Sequence, residues 1–196
     1  MNRLLLALTP LIFCTSCAID SNSKREEKRE LAARQSVEIG GFRDSRGLPN
    51  NYLGSIRGTD GAPNQKVETD VVVSDIVAKT FGHGLHSRDL IPQSGHAAWT
   101  LTGEVKEFAC DQVELAGCSV DLVVKLTKAG SSHPAFNKSF TAEKTERPSA
   151  GNAAKGLQRL AAETLQQAVD KALDDPEFRQ VISGVYAEAP VPPLPN

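Results

Sequence analysis

The chain has 196 residues, of which 22 are basic and 24 acidic, and 40% are hydrophobic but only 5% aromatic. This length fits one domain with appendages, and the hydrophobic content suffices for a core, which excludes a wholly disordered chain. The near-neutral charge and the few aromatic residues argue against nucleic-acid binding, which needs a basic surface and stacking side chains.

The N-terminus has the pattern of an export signal. Arg3 is followed by an almost entirely apolar run over residues 4–13. This run is too short to span a bilayer as a helix, which takes about 20 residues, but it matches the apolar stretch of a secretory signal peptide. The sequence therefore predicts a signal peptide over residues 1–16. A cleaved signal that frees a secreted chain and a retained membrane anchor are the alternatives.

Small residues, Thr15 and Ser16, directly precede Cys17. This segment resembles the lipobox of bacterial lipoproteins, in which the chain is cut just before a cysteine whose thiol is acylated. The resemblance implies lipidation at Cys17 and an anchor of acyl chains, each buried methylene of which contributes ~0.8 kcal/mol. Ala18 and Ile19 follow the cysteine in place of Asp, and in proteobacteria this implies sorting to the outer membrane, facing the periplasm.

The segment after Cys17 is polar and carries charges of both signs without an apolar stripe. Such a segment cannot bury much surface, which predicts that residues 17–35 form a lipidated, solvated tether. A short solvated helix is the alternative, because charged residues recur four apart, Lys24 with Lys28 and Glu26 with Glu30.

A candidate ligand-contact loop follows the first predicted strand, in which Val37 and Ile39 alternate with polar residues. Glycines and asparagines then predict loops over residues 40–61. Because arginine binds phosphate bidentately, two guanidiniums beside one carboxylate could hold an anion such as a headgroup. Local charge pairing that pins the strand end is the alternative. The candidate contact residues are Arg43, Asp44, Arg46, Tyr52 and Arg57.

An amphipathic helix is predicted over residues 65–82, because its apolar residues recur at spacings of three and four. The β-branched run at residues 71–73 favours a strand instead. The predicted ends of the helix are Asp60 or Asn64 as the cap and Gly82 with Gly84 as the stop.

Histidines follow this helix: His83 and His86 lie near its end, and His96 lies downstream with Asp89. Three histidines and a carboxylate could bind zinc. No fixed motif such as His-Glu-x-x-His occurs, so a polar surface loop is the favoured interpretation. The sequence also lacks a nucleophile elbow, a phosphate loop and a dinucleotide fingerprint. We therefore expect no catalytic site, no metal and no cofactor.

Three alternating runs predict an antiparallel meander. They lie at residues 99–105, 120–126 and 136–142. Cys110 and Cys118 flank the turn between the first two runs. An exported chain meets an oxidising compartment, and hairpin partners can lie at bridging distance, which predicts a disulfide. Two cysteines are too few for a tetrahedral metal site and these are too far apart for a Cys-x-x-Cys redox motif.

The clearest amphipathic helix runs from Leu157 to Leu173, with Asn152 as its cap and Pro176 shortly after its end. Residues 183–196 form a Pro-rich tail, in which the prolines exclude helix and central strand. We expect an extended tail, with a ligand for an aromatic groove as the alternative. The residues expected to cover the core after the helix are Phe178, Val181 and Ile182.

The predicted element order is β-α-β-β-β-α in a single domain over residues 36–182. Two amphipathic helices each need an apolar surface, and a sheet with one apolar face provides it. We therefore expect an α+β two-layer sandwich, with a small, mainly antiparallel sheet and two helices packed on one face.

Two short segments carry a family resemblance. The opening strand leads to Phe-Arg-Asp-Ser-Arg at residues 42–46, and the final helix ends in Asp-Asp-Pro-Glu-Phe at residues 174–178. With the N-terminus and the element order, they resemble the YajG family of bacterial lipoproteins and, more loosely, the auxiliary lipoproteins of ABC transport systems for lipids. The resemblance implies a periplasm-facing domain anchored in the outer membrane, with no established catalytic site.

Together these features predict a non-catalytic envelope lipoprotein that is held at the membrane by its lipid and binds a lipid, a glycan or an envelope protein. One alternative is a structural or assembly lipoprotein that acts only by protein docking, through a β-edge or the tail. A zinc-dependent hydrolase that uses His83, His86 and His96 is the third hypothesis.

Overall fold

The computed structural model describes residues 17–58, 61–92, 95–148 and 152–184. The predicted signal peptide, the predicted cap at Asp60 and the tail beyond residue 184 lie outside these ranges. The chain divides into two units, Met1–Leu31 and Ala32–Asn196. In chain order the elements are α1 (Cys17–Arg34), β1 (Val37–Asp44), β2 (Tyr52–Arg57), β3 (Pro63–Glu68), α2 (Val73–His86), β4 (Trp99–Gln112), β5 (Ala116–Lys128), β6 (Pro134–Glu146), α3 (Ala153–Leu173) and α4 (Pro176–Ser183).

The six strands form one sheet in the order β3-β2-β4-β5-β6, with β1 also paired to β4. The β4-β5-β6 part is the predicted antiparallel meander. β1 and β2 both run parallel to β4 and share its other edge, β1 along residues 99–105 and β2 along residues 110–112. β3 pairs antiparallel with β2. The α+β fold with a mainly antiparallel sheet is confirmed.

The core lies between the sheet and the helices α2, α3 and α4. Alternate residues of β5 are buried, as the period-two pattern predicts. Phe42 of β1 stacks on Phe81 of α2 with ring centroids 5.0 Å apart, and Phe136 of β6 meets Phe178 of α4 edge to face at 5.7 Å. Burying each such side chain contributes roughly 1.5–3 kcal/mol. The expectation that Phe178 and its neighbours cover the core is confirmed.

The sequence did not indicate two short strands, β2 and β3. β2 lies within the loops predicted over residues 40–61, and β3 ends inside the helix predicted over residues 65–82, at Glu68. Gly54, read as a loop residue, lies in β2 where the backbones come close: a Cβ there would lie 1.5 Å from the carbonyl oxygen of Cys110. Glycine in a strand often marks such an approach. The element order therefore gains two strands ahead of α2.

The predicted helix over residues 65–82 is shifted towards the C-terminus. Asn64 is not its cap, because it lies in β3, and α2 begins after Val72 without a side-chain cap. Gly82 and Gly84 do not stop the helix, which continues to His86. At Gly84 a Cβ would lie 2.6 Å from Leu173 of α3, so this glycine allows the two helices to pack closely.

The last two helices follow their capping residues. Asn152 caps α3 by accepting a hydrogen bond from the backbone N–H of Lys155 at 3.1 Å, as predicted. Pro176 does more than follow α3: it starts α4, where proline is favoured in the first turn. Asp175 caps α4 by accepting from the backbone N–H groups of Glu177 and Phe178.

Candidate functional site

Two of the predicted ligand-contact residues, Asp44 and Arg46, form an ion pair that is largely shielded from solvent, with the Asp44 side chain 14% exposed. The Arg46 side chain is 2% exposed, and its Nε and Nη2 donate to the Asp44 carboxylate at 2.9 and 2.7 Å. Nη1 donates to the carbonyls of Tyr52 at 2.7 Å and Phe108 at 3.0 Å, and Nη2 also reaches that of Pro49 at 3.5 Å. These five contacts match the five N–H donors of a guanidinium. Arg46 therefore has no donor left for a ligand.

The arrangement, called here the Arg46 brace (Arg46, Asp44 and the carbonyls of Tyr52 and Phe108), bridges a gap on the edge of β4. β1 pairs with β4 as far as Val105, and β2 begins to pair at residue 110. The Phe108 carbonyl lies between these points, and Arg46 donates to it where neither strand does. Buried carbonyls need a partner. For this pair the structure shows the local charge pairing that was the alternative to a ligand site.

Charge and hydrogen bonding keep the brace ionised. The side-chain hydrogen bond from Arg46 lowers the pKa of Asp44 below its usual value of 3.8, against the opposing effect of burial. The backbone N–H of Arg46 also donates to Asp44 Oδ1, at 3.1 Å. The carboxylate therefore stays negative at neutral pH and continues to hold the guanidinium.

The other two predicted arginines do not converge on one site. Arg43 is exposed and lies opposite Glu104, whose pKa is lowered mainly by Lys106 and to a smaller extent by Arg43. Arg57 Nε lies 3.5 Å from Asp111 Oδ1. Since strands rise about 3.3 Å per residue, Glu104 and Asp111 lie roughly 23 Å apart along β4. An anion held by both arginines at once is excluded by this spacing.

The predicted disulfide is present. Cys110 and Cys118 are directly opposite each other in the β4–β5 register, with Cα atoms 4.1 Å apart, and both are buried. The bond lies just below the turn that joins the two strands. It therefore ties the end of the hairpin together where cross-strand pairing stops.

The hairpin tip, residues 113–115, presents apolar side chains to solvent. Val113 is 46% exposed and Leu115 is 51% exposed, and the backbone N–H of Val113 donates to the Leu115 carbonyl at 3.2 Å. Below the tip, a groove of about 420 Å³ runs over the small residues of β4 and β5. The groove is lined by Val113 and Leu115, by Ala109, Gly117 and Ser119, by the acidic Glu107, Asp111 and Glu143, and by Lys144 and Thr145.

Sequence reasoning missed this surface because it treated residues 111–117 only as the turn between two cysteines. The available signal was the pair of apolar residues in a turn that would otherwise be polar. Exposed apolar residues grouped on a rigid element are a feature of interaction sites.

The histidines do not assemble into a metal site. His83 and His86 are exposed in the last turn of α2, and His96 is exposed before β4. Among the described residues, no group of three or more His, Cys, Asp or Glu side chains could hold a metal ion. His86 and Asp89 line a small hollow of about 200 Å³ with Ile91 and Pro92.

Cys17, the predicted lipidation site, is the first residue of α1. Residues 24–34 of this helix are all exposed, so the polar segment is a solvated helix. None of the helices in the described ranges is both long and apolar enough to cross a membrane.

No protein-family model matches the chain, and no curated protein matches it in sequence. Solved structures are similar in fold. Protein XCC0632 from Xanthomonas campestris, of the family model DUF330, matches with a TM-score of 0.52 and 17% identity, over 76% of this chain and 85% of that chain. This match shows that the fold is shared with another bacterial protein.

Two further structures are similar at lower scores. A candidate lipoprotein from Caulobacter crescentus matches with a TM-score of 0.48 and 10% identity, over 82% of this chain and 98% of that chain. A minor lipoprotein from Acinetobacter baumannii matches with a TM-score of 0.41 and 9% identity, over 67% of this chain and 93% of that chain. The YajG resemblance stays a prediction, and the shared fold rests on the match to XCC0632 alone.

Proposed function

We propose that this chain is a non-catalytic lipoprotein of the bacterial envelope that is anchored at Cys17, faces the periplasm from the outer membrane and docks an envelope protein. The observation that carries the proposal is the hairpin tip, where Val113 and Leu115 are exposed together on a disulfide-tied end of the sheet. Apolar residues held on a rigid support lose little entropy when a partner covers them.

Two features support the location. The Cys110–Cys118 disulfide suits an oxidising compartment such as the periplasm. The sequence ahead of Cys17 has the apolar run and small residues of an export signal that ends at an acylated cysteine.

The charges around the groove narrow the class of ligand. Glu107, Asp111 and Glu143 rim it, with Lys144 as the basic side chain among its lining residues. A phospholipid headgroup would bring its phosphate against Glu107 and Glu143, which is unfavourable, whereas Asp111 is paired with Arg57. A protein surface with an apolar pocket and basic residues around it would complement both the tip and its rim. The Arg43 loop is a weaker candidate, because Arg46 is fully used in the brace.

The anchor is tested by labelling cells with a palmitate analogue. We expect the wild-type protein and the Cys14→Ala variant to be labelled, and the Cys17→Ala variant to lose the label and leave the membrane fraction. Labelling that survives Cys17→Ala would contradict the anchor.

Docking is tested by native mass spectrometry of protein extracted gently from membranes. A heterocomplex is expected for wild type and for the Arg43→Ala control, and its loss is expected for the double variant Val113→Ser/Leu115→Ser. A complex that forms equally with the double variant would rule out the tip as the docking surface.

A further inference from the structure

Between residues 24 and 30 of α1, the charges are separated onto opposite faces of the helix. With 3.6 residues per turn, the four basic residues of this segment fall within one sector about 140° wide, and its three acidic residues fall within the opposite sector, about 100° wide. Arg34, in the last turn of the helix, falls on the acidic side. All of these side chains are exposed. The basic face consists of Lys24, Arg25, Lys28 and Arg29, and the acidic face of Glu26, Glu27 and Glu30.

This helix lacks the apolar stripe by which surface helices insert into a bilayer. Residues 24–30 are charged throughout, and α1 has no continuous apolar face. A helix of this kind can meet a membrane only through its charges, by contact of the basic face with anionic headgroups. The separation of charge then keeps the acidic residues on the side turned away from the lipid.

The distance of each basic residue from Cys17 along the helix decides whether that residue can contact the headgroups. At 1.5 Å per residue, Lys28 lies about 17 Å along the helix from Cys17. If α1 stood upright on the membrane, Lys28 and Arg29 would lie beyond the Debye length of about 8 Å at physiological salt. If α1 lay flat, all four basic residues would reach the headgroups, each one strengthening surface binding roughly fivefold.

We infer that α1 lies along the membrane with its basic face on anionic phospholipid headgroups. The inference rests on the proposed anchor at Cys17, which holds the start of the helix at the membrane surface. Charge complementarity selects the occupant, because the face presents four cations within the six residues 24–29. The helix is then a surface-bound arm and not an upright spacer.

The test uses full-length acylated protein reconstituted into vesicles of phosphatidylcholine, alone or with added phosphatidylglycerol. An amine-reactive reagent labels exposed lysines, and mass spectrometry compares Lys28 with Lys79, which is exposed on α2 and serves as the internal reference. We expect labelling of Lys28 to fall roughly fivefold when phosphatidylglycerol is present. The protection should disappear in about 1 M salt, where the Debye length is ~3 Å.

A matched variant tests whether the protection of Lys28 depends on the arrangement of the charges around the helix or only on their number. Arg25→Glu/Glu27→Arg keeps the net charge of the helix but mixes its faces, so it should lose most of the protection of Lys28. The control Glu27→Gln should keep it. Equal labelling of Lys28 on both vesicle types, or equal protection in the mixed-face variant, would overturn the inference.

Mass spectrometry of Cys17 in the same samples distinguishes the two proposals. A missing acyl group would overturn the anchor, whereas equal labelling of an acylated protein would overturn only the headgroup contact.

Discussion

The Arg46 brace and the hairpin tip both depart from the usual rule that charged side chains are exposed and apolar side chains are buried. The brace buries a guanidinium beside a partly buried carboxylate, whereas the tip exposes Val113 and Leu115. In the sequence, the charged cluster is the feature that suggests a ligand, and the turn between two cysteines suggests only structure. The comparison teaches that a charged side chain cannot bind a ligand when its N–H donors are already bonded to backbone carbonyls. It also teaches that a disulfide can support an exposed surface.

The largest expected effect comes from breaking the brace. Arg46→Met leaves the partly buried Asp44 carboxylate without its cation and removes the donor of the Phe108 carbonyl. Loss of one partner of a buried pair costs about 3–5 kcal/mol. We expect the free energy of unfolding in urea to fall by that amount, with little change for Arg43→Met at an exposed position. A loss below about 1 kcal/mol would show that the brace is not structural.

Removing the disulfide should have the next largest effect on stability. The bond joins residues 8 apart, and closing so short a loop stabilises the fold by roughly 2–3 kcal/mol in the chain-entropy model. The double variant Cys110→Ala/Cys118→Ala and wild type under reducing conditions should both lose this amount in chemical denaturation. If reduction leaves the unfolding midpoint unchanged, the bond does not stabilise the hairpin.

Acid should weaken the Arg46 brace. Because Arg46 lowers the pKa of Asp44 in the folded state, the carboxylate contributes stability that is fully present above its unfolded pKa near 3.8. This contribution is lost as the pH falls through the lower folded value. Asp174, whose pKa is lowered to about 2 chiefly by the hydrogen bond from Arg88, adds to the same acid range. Below pH 4 the melting temperature should therefore change less steeply with pH in Asp44→Asn than in wild type. An unchanged slope would contradict the coupling between Asp44 ionisation and stability.

The tip should show the smallest effect on stability. Val113→Ser/Leu115→Ser changes exposed side chains, and such changes usually alter the free energy of unfolding by no more than about 0.5 kcal/mol. The melting temperature should stay close to that of wild type while the proposed heterocomplex is lost. A large drop in stability would mean that the two residues pack within the fold and are not presented to a partner.

Local patterns predicted the parts of the fold that depend on neighbours in sequence. The alternation in β4, β5 and β6, the amphipathic face of α3 and its Asn152 cap are local signals, and the disulfide follows from the hairpin. β2 and β3 are six residues each and gain their place through pairing with distant strands. The structural role of Arg46 depends on its hydrogen bond to the Phe108 carbonyl, 62 positions away in the sequence. No pattern within a short window carries that contact.

Site-specific photocrosslinking in cells tests most directly the claim that the tip, and not the charged loop, faces a partner. A photoreactive residue would replace Leu115 in one variant and Arg43 in another, since both positions are exposed. The account predicts a discrete protein adduct from position 115, its loss when Val113→Ser is added, and no adduct from position 43. An adduct from position 43 with none from position 115 would contradict it.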